Sequence, residues 1–380
     1  MNQRLCLLLI CSALTQSSIA AARQYQFINV ADSTGKIEVF SDPSLNSQGT
    51  VAFQGSLYTG VSGIFAGNEF GLAAIADNTG ELQGFSINPS INYSGQIAFS
   101  SYLDRGEWAV LRYSPGQVGY TTIASSSGPL ASMSVSPNSL SDAGEVVLLG
   151  YADEGGSAIY RSSGAPQLEK LADTAGEFFG FGVPAISPGG IVAIGASYDA
   201  GDSVLLNTAS GTLAPVIDTT GPLSSLSSPT INDAGTMGTQ AFFDAGGNGP
   251  VAVSGNSFTI IADTNGPISS AGIPAINRNG EFAFWATIDG PGGNQGIFTG
   301  PDMVADKVIR TGDMLFGTAV RRVQFSRGGF NDRGDIAFRY ELLDHVTGIA
   351  IARVVPEPSS ALLLLASVSS IVAWRRRIAA

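Results

Sequence analysis

The sequence predicts an all-β protein: a seven-bladed β-propeller of four-stranded antiparallel blades, closed by the N-terminal strand. Three observations support this prediction. A unit of 45–54 residues recurs seven times between the two termini. Each unit contains short runs of strand-forming residues separated by glycine, asparagine, aspartate and serine. The last unit lacks a fourth strand, and the start of the mature chain supplies an extra one.

Two markers define the repeat: an Asp-x-x-Gly turn and, later in the unit, a block close to Asn-x-x-Gly-x-x-Ala-Phe. The Asn position is occupied by Asn46, Asn92, Ser141, Ser187, Asn232, Asn277 and Asn331. The paired glycines are Gly49, Gly95, Gly144, Gly190, Gly235, Gly280 and Gly334. Successive steps of 46, 49, 46, 45, 45 and 54 residues match a propeller blade and exceed the period of a leucine-rich or hexapeptide coil.

The second unit shows the predicted strands most clearly. Residues 84–91, 96–102, 108–113 and 119–124 are the four β-rich runs. Between the first two runs, residues 92–95 predict a hairpin turn, because Asn92 can bond its own backbone and Gly95 tolerates a positive φ. The second runs of most units are apolar on both faces, which indicates a sheet covered on both sides.

The strand count predicts how the ring closes. The seventh unit ends with residues 348–354, which correspond to a third strand. Residues 25–31 precede Asp32 as a fourth strand does in other units, so we expect them to complete the last blade and remove an open sheet edge. An open β-solenoid is the alternative architecture.

The block Asn-x-x-Gly-x-x-Ala-Phe resembles the repeat of a family of tandem-repeat bacterial surface proteins. Residues 46–53, 92–99, 277–284 and 331–338 match it in full, whereas the third, fourth and fifth units depart from it. The resemblance supports the repeat architecture and implies no activity.

The N-terminal residues 1–22 have the pattern of a secretory signal peptide. Arg4 precedes a short apolar run, and small residues near Ala20 offer a cleavage site. Both cysteines, Cys6 and Cys11, lie in this segment, so we expect an exported chain without disulfides.

The C-terminal residues 356–380 form a second targeting segment. Pro356, Glu357 and Pro358 precede an apolar stretch that ends before Arg375, Arg376 and Arg377. The stretch is shorter than the roughly 20 residues that span a bilayer, and the arginines favour the cytoplasmic side, so a transient transmembrane helix is expected.

This tail resembles the PEP-CTERM sorting signal of Gram-negative bacteria, with the triplet, the apolar span and the arginines in the same order. The resemblance implies recognition by an exosortase, transient insertion in the inner membrane and removal of the tail. It also implies delivery to the cell surface or to an exopolysaccharide matrix.

The charge of the central region limits its partners. Residues 23–355, predicted to be one propeller domain, contain 15 Lys plus Arg and 30 Asp plus Glu once the termini are excluded from the totals of 19 and 31. The resulting net charge near −15 disfavours nucleic acid and anionic surfaces as partners.

Five aspartates begin the Asp-x-x-Gly turns and predict a partial acidic ring on one face of the disc, opposite the Asn turns. They are Asp32, Asp77, Asp173, Asp218 and Asp263. The ring is interrupted at Ser125 and near Asp313. Ca²⁺ prefers oxygen ligands, so it is the cofactor that such a ring would hold. The alternative is that each aspartate caps its own turn through backbone hydrogen bonds.

The last unit differs from the others in its concentration of charge. Arg321, Arg322, Arg339, Glu341 and the single histidine, His345, are its candidate ligand-binding residues. Arginine forks suit carboxylates, so these residues would bind an anionic sugar. The alternative is a solvated edge with weak surface ion pairs.

The sequence contains no motif that identifies a catalytic site. It has no Gly-x-Ser-x-Gly elbow and no phosphate-binding loop. We therefore predict a binding or structural role associated with exopolysaccharide. The alternative is a polysaccharide-active hydrolase or lyase, for which Asp153, Glu154 and Glu341 are the candidate carboxylates.

Overall fold

The structure, a computed structural model, describes residues 23–356 except 87, 164–166, 199–200 and 291–293. The predicted signal peptide at residues 1–22 and the tail after Pro356 lie outside the described residues. The described chain forms seven antiparallel sheets arranged as the blades of a closed β-propeller.

The strands follow one another in the order of the repeats, beginning with the N-terminal strand β1 (Tyr25–Asp32). Blade 1 contains β2 (Ile37–Phe40), β3 (Ser44–Leu45), β4 (Val51–Leu57), β5 (Ser62–Asn68) and β6 (Gly71–Asp77). Blade 2 contains β7 (Leu82–Phe85), β8 (Ser90–Ile91), β9 (Ile97–Leu103), β10 (Trp108–Tyr113) and β11 (Thr121–Ser125). Blade 3 contains β12 (Leu130–Ser134), β13 (Val146–Ala152), β14 (Ser157–Ser162) and β15 (Leu168–Asp173).

The remaining blades repeat this pattern. Blade 4 contains β16 (Phe178–Phe181), β17 (Ala185–Ile186), β18 (Val192–Tyr198), β19 (Ser203–Asn207) and β20 (Ala214–Asp218). Blade 5 contains β21 (Leu223–Leu226), β22 (Thr230–Ile231), β23 (Met237–Phe243), β24 (Asn248–Ser254) and β25 (Ser257–Ile260). Blade 6 contains β26 (Ile268–Ala271), β27 (Ala275–Ile276), β28 (Phe282–Ile288), β29 (Gln295–Phe298) and β30 (Lys307–Arg310). Blade 7 contains β31 (Met314–Leu315), β32 (Thr318–Gln324), β33 (Ile336–Leu342) and β34 (Thr347–Val354).

The predicted ring closure is confirmed. Strand β1 pairs antiparallel with β34, with Tyr25 opposite Val354 and Asp32 opposite Gly348. The last blade therefore has the order β1-β34-β33-β32, with the N-terminal strand outermost. The open β-solenoid is excluded by this pairing.

The predicted strand bounds of the second unit need two corrections. Residues 84–91 do not form one strand, because β7 ends at Phe85 and β8 begins at Ser90, directly after Pro89. Proline donates no backbone hydrogen bond, so it interrupts the innermost strand, which is an edge strand. The fourth strand begins at Thr121 rather than at Gly119, whose φ of 77° is incompatible with a strand.

The Ala-Phe pair of the repeat packs one blade against the next. Ala52 of blade 1 shares an apolar cluster with Phe99 of blade 2. In the same way Ala337 of blade 7 packs in a cluster with Phe53 of blade 1, and all four side chains are fully buried. A small residue facing a large one fills the space between sheets without overpacking, which explains why both faces of these strands are apolar.

The Asn position links neighbouring blades around the axis. Asn46 Nδ2 donates to the carbonyl of Asn92 at 3.1 Å, and Asn92 Nδ2 donates to the carbonyl of Ser141 at 2.9 Å. The other three asparagines make the same bond to the next blade: Asn232 to Asn277, Asn277 to Asn331 and Asn331 to Asn46. Each Oδ1 accepts from backbone N–H groups of its own turn, as the sequence predicts.

Two turns meet at the axis of the ring. Residues 136–139 of blade 3 and 326–329 of blade 7 form matching turns, closed by the bonds Ser139 N to Ser136 O and Gly329 N to Ser326 O. A Cβ at Gly328 would lie only 2.6 Å from Cβ of Pro137, so glycine is required there. Blades 3 and 7 are not neighbours, so this contact crosses the central lumen. Pro137 and Gly328 also line the pocket on the side of the Asn turns, so they separate that half of the lumen from the other half.

Candidate functional site

The Asn turns of all seven blades surround one central pocket. Its cavity volume is about 90 Å³. Six of the residues that follow the Asn positions line it: Ser47, Tyr93, Asp142, Pro188, Arg278 and Asp332. The seventh, Asp233, contacts Arg278. Three carboxylates and one guanidinium therefore converge on the axis.

Arg278 connects the three aspartates. Its Nη2 lies 2.6 Å from Asp142 Oδ2, its Nε lies 2.8 Å from Asp233 Oδ2, and its Nη1 lies 3.5 Å from Asp332 Oδ2. Asp142 belongs to blade 3 and Arg278 to blade 6, so the side chain reaches across the lumen. Burial lowers the pKa of Arg278, but the hydrogen bonds to Asp233 and Asp142 outweigh it and raise the pKa overall.

Each of these aspartates also caps a backbone group of the preceding blade. Asp142 Oδ1 accepts from Tyr93 N at 2.9 Å, and Asp332 Oδ1 accepts from Arg278 N at 3.0 Å. Asp233 Oδ1 accepts from Gly189 N at 2.6 Å, because Pro188 has no N–H to donate. These contacts indicate that the three aspartates mainly hold neighbouring blades together.

The other half of the lumen, on the face of the Asp-x-x-Gly turns, is lined by the innermost strands. Each of these strands has a register irregularity near its start, where it pairs with the next strand. At that point the side chains are exposed, among them Phe179 at 73%, Val39 at 52% and the arginines of blade 7. We call this half the Asp-face lumen.

The five candidate ligand-binding residues of the last unit form one cluster in the structure. Arg321 Nη1 lies 2.8 Å from Glu341 Oε1 and 3.2 Å from His345 Nδ1. Arg322 stands opposite Glu341 in the pairing of β32 with β33. A cavity of about 50 Å³ is lined by Arg322, Arg339 and Glu341 together with three other residues. The sequence-predicted group is thus brought together around Glu341.

The arginines of this cluster differ in their partners. Arg321 is paired with Glu341, and Arg339 Nε lies 3.1 Å from Asp42 Oδ1 of blade 1. Arg322 is exposed and makes no hydrogen bond or ion pair with any residue in the described part of the chain. Its guanidinium is therefore available to an anionic group in solution.

The aspartates of the Asp-x-x-Gly turns bond to their own turns. Asp77 Oδ1 accepts from Thr79 N at 3.0 Å and from Thr79 Oγ1 at 2.5 Å, and Asp218 has the same contacts with Thr220. Asp32, Asp173 and Asp263 also accept from a backbone N–H two residues further on. These hydrogen bonds lower the pKa of Asp77 and of Asp218.

This geometry matches the capping alternative for the aspartates. Within residues 23–356, apart from the gaps named above, no three His, Cys, Asp or Glu side chains are placed to hold a metal ion together. Ser125 takes the same role in the turn where the aspartate is missing, since its Oγ lies 2.6 Å from Ser127 Oγ. A Ca²⁺ site in the ring stays a prediction for a chelation experiment.

The residue that follows the turn-aspartate position, which is Ser125 or Arg310 in two of the seven turns, is a signal that the sequence analysis above does not use. At all seven positions a side-chain oxygen accepts from the N–H that begins the third strand of the preceding blade; the residues are Ser33, Asn78, Ser126, Thr174, Thr219, Thr264 and Thr311. Every one is Ser, Thr or Asn in the sequence, so this pattern could have been found.

A family model matches residues 28–328 and 322–362 of this chain; it is described as a family of unknown function, DUF7453. The chain belongs to the DUF7453 family. No curated protein sequence matches it.

Solved structures similar to this DUF7453 chain show its fold. Oligogalacturonate lyase from Vibrio parahaemolyticus has a TM-score of 0.54 at 12% identity, with 88% of this chain and 98% of that chain covered. An oligogalacturonate lyase in complex with manganese has a TM-score of 0.53 at 10% identity, with 88% and 99% covered. A prolyl endopeptidase has a TM-score of 0.54 at 11% identity, with 83% of this chain and 47% of that chain covered.

The candidate catalytic carboxylates do not share one cavity in this DUF7453 protein. Asp153 and Glu154 lie in the turn after β13 of blade 3, and neither lines the cavity of Glu341 in blade 7. The sorting residues Glu357, Pro358, Arg375, Arg376 and Arg377 lie outside the described residues. In the part that the structure describes, no helix is long and apolar enough to cross a membrane.

Proposed function

We propose that this protein is exported to the surface of a Gram-negative bacterium and binds an anionic polysaccharide in its Asp-face lumen. The observation that supports the binding role is Arg322, an exposed guanidinium without a partner in the described chain, in a cluster with Arg321, Arg339 and Glu341. Planar guanidinium groups recognise carboxylates through two parallel hydrogen bonds.

Other residues of the Asp-face lumen suit a sugar ligand. Glu341 is opposite Arg322 and can accept hydrogen bonds from hydroxyl groups. Phe179 exposes 73% of its surface on the innermost strand of blade 4, where an aromatic face offers apolar area to a sugar ring. The negative charge of the rest of the ring repels an anionic chain, so such a chain can dock only where arginines are concentrated, as in this blade.

The proposed location rests on the two ends of the sequence. The signal-peptide pattern of residues 1–22 supports export. The order of Pro356, Glu357, Pro358, an apolar stretch and three arginines supports processing by an exosortase after transient insertion in the inner membrane. A polysaccharide ligand would then retain the released protein in the matrix.

A binding experiment with oligogalacturonate tests the proposal, since the fold is like that of oligogalacturonate lyase. We expect saturable binding of the mature protein in calorimetry, weakened about tenfold in Arg322→Gln, because a hydrogen bond to a charged group contributes about 1.5–3 kcal/mol. Arg105→Gln is the matched control: it removes the same charge from an exposed turn of blade 2, where Arg105 is paired with Glu107. Equal binding by both variants would contradict the proposal.

A polysaccharide lyase or hydrolase is the second candidate, favoured only by that likeness in fold. The same samples distinguish it from a binding protein. An enzyme would release new reducing ends from the polymer during the titration, and Glu341→Gln would abolish their formation. A binding protein would leave the polymer intact.

A further inference from the structure

A second arginine of blade 7 reaches into the lumen. Arg327 Nη1 donates to the carbonyl of Pro229 at 3.2 Å. Pro229 belongs to blade 5, and blade 6 lies between it and Arg327, so the side chain crosses the open centre of the ring. Arg327 is partly exposed and is not among the residues that line the pocket of the Asn turns. It follows β32, the innermost strand of blade 7, whose exposed arginines line the Asp-face lumen.

The guanidinium of Arg327 is largely unsatisfied. It has five N–H donors, and the Pro229 carbonyl is its one partner in the described part of the chain. No carboxylate of the described residues lies within ion-pair distance of it, unlike Arg278, which meets three. Burial lowers the pKa of Arg327 to about 10, which still leaves it charged at neutral pH. An enclosed charge without a counter-ion favours capture of an anion.

The Asp-face lumen ends at this arginine. Gly328, the next residue, abuts Pro137 of the opposite blade, where the two axial turns meet. A polymer therefore has no path along the axis past Arg327 and enters this half of the lumen only by one of its ends. Arg321 and Arg322 stand nearer the mouth, six and five positions earlier on the same chain segment.

We propose that Arg327 is the terminal subsite of the lumen and binds the carboxylate of the last acidic sugar of a chain that enters end-on. This inference rests on the proposed polysaccharide-binding function and adds the polarity of binding: the protein recognises chain ends rather than chain interiors. Arg322 then contacts a sugar nearer the mouth.

The experiment compares wild type, Arg327→Gln, Arg327→Lys and Arg322→Gln. Each is titrated with D-glucuronate, with glucose as the uncharged control, and with a short and a long oligogalacturonate. We expect wild type to bind glucuronate and not glucose, Arg327→Gln to lose glucuronate binding, and Arg327→Lys to retain part of it. Arg322→Gln should weaken only the oligomers. On the long chains, saturation should occur at one protein per chain end.

The unliganded variants provide a separate readout. Arg327→Gln removes an enclosed, unpaired charge, so its melting temperature should equal or exceed that of wild type, whereas a purely structural arginine would be destabilising to remove. Oligomer binding with unchanged glucuronate affinity in Arg327→Gln would overturn the terminal subsite and leave the proposed function intact. Many proteins bound along each long chain would also overturn it. Absence of any binding to wild type would overturn both.

Discussion

Asn331 in the last blade donates from Nδ2 to the backbone carbonyl of Asn46 in the first blade, at 3.1 Å. The two residues are 285 positions apart, and their contact closes the ring at its axis. The pairing of β1 with β34 closes the same ring at its outer edge. The junction between the last blade and the first, the seam of the ring, is therefore held both at the axis and at the outer edge. The asparagine of the repeat is explained by the hydrogen bond that it makes to the next blade.

Each of these asparagines makes two contributions to stability, a hydrogen bond to the next blade and hydrogen bonds within its own turn, and two substitutions can separate them. Asn92→Ser should cost about 1 kcal/mol, because the hydroxyl can still serve its own turn, as Ser141 and Ser187 do, while the bond to the next blade is lost. Asn92→Ala should cost about 2–4 kcal/mol, since the part-buried N–H of Gln96 and the hydroxyl of Ser94 also lose their acceptor. Urea denaturation measures both. Asn256→Ala, in an exposed turn, should be neutral. Equal costs for Ser and Ala would contradict this account.

Removing the N-terminal strand should expose the last blade. Deletion of residues 23–30 leaves β34 with an unpaired edge, and Ile349 and Ile351, now fully buried, lose the cover of Ile28 and Val30. We expect aggregation in light scattering and an early thermal transition. A circular permutant in which the same segment follows Val354 should restore a monomer of near-normal stability. A stable monomeric deletion variant would show that the strand is dispensable.

Acid should destabilise the protein through the turn aspartates. Thr79 lowers the pKa of Asp77 from 3.8, and Thr220 lowers that of Asp218. For a carboxylate with a depressed folded pKa, the stabilisation is complete above the unfolded pKa, near 4, and is lost as the pH falls through the folded pKa. The free energy of unfolding should thus be level from pH 7 to about 5 and fall below about 4. Asp77→Asn, which keeps the acceptor oxygen, should show a shallower fall. A steeper fall would refute this assignment.

Chelation tests the predicted calcium ring. The five carboxylates already accept hydrogen bonds within their own turns, so we expect the same melting temperature with and without a chelator. A ligand bound only to the folded state would raise the melting temperature by mass action. A decrease on adding EDTA, reversed by excess Ca²⁺, would establish the metal site.

Processing of the tail is tested by mass spectrometry of the extracellular protein. We expect a mature chain that begins near residue 23 and lacks everything after about Ser359. Replacing Pro356, Glu357 and Pro358 with alanine should retain the protein in the membrane fraction. An extracellular protein that still contains Arg375, Arg376 and Arg377 would contradict the sorting prediction.

Much of the fold followed from local pattern and from counting. The period of the repeat, the four strands in each unit and the missing last strand predicted seven blades and their closure by β1. The turn aspartates could be interpreted as caps because Asp77 and Thr79 are near neighbours in sequence. Strand bounds were less accurate, since the segment that ends in Pro89 interrupts a run that composition alone shows as continuous.

The sequence by itself determined the number of blades, the seam and the turn chemistry, because these depend on residues within one repeat or on the count of repeats. Only the tertiary structure decided what meets at the axis. Arg278 contacts Asp142 across 136 positions, and Arg327 contacts Pro229 across 98. These contacts join blades that are not adjacent in the chain, so they exist only when the ring is closed and each side chain is directed into its centre.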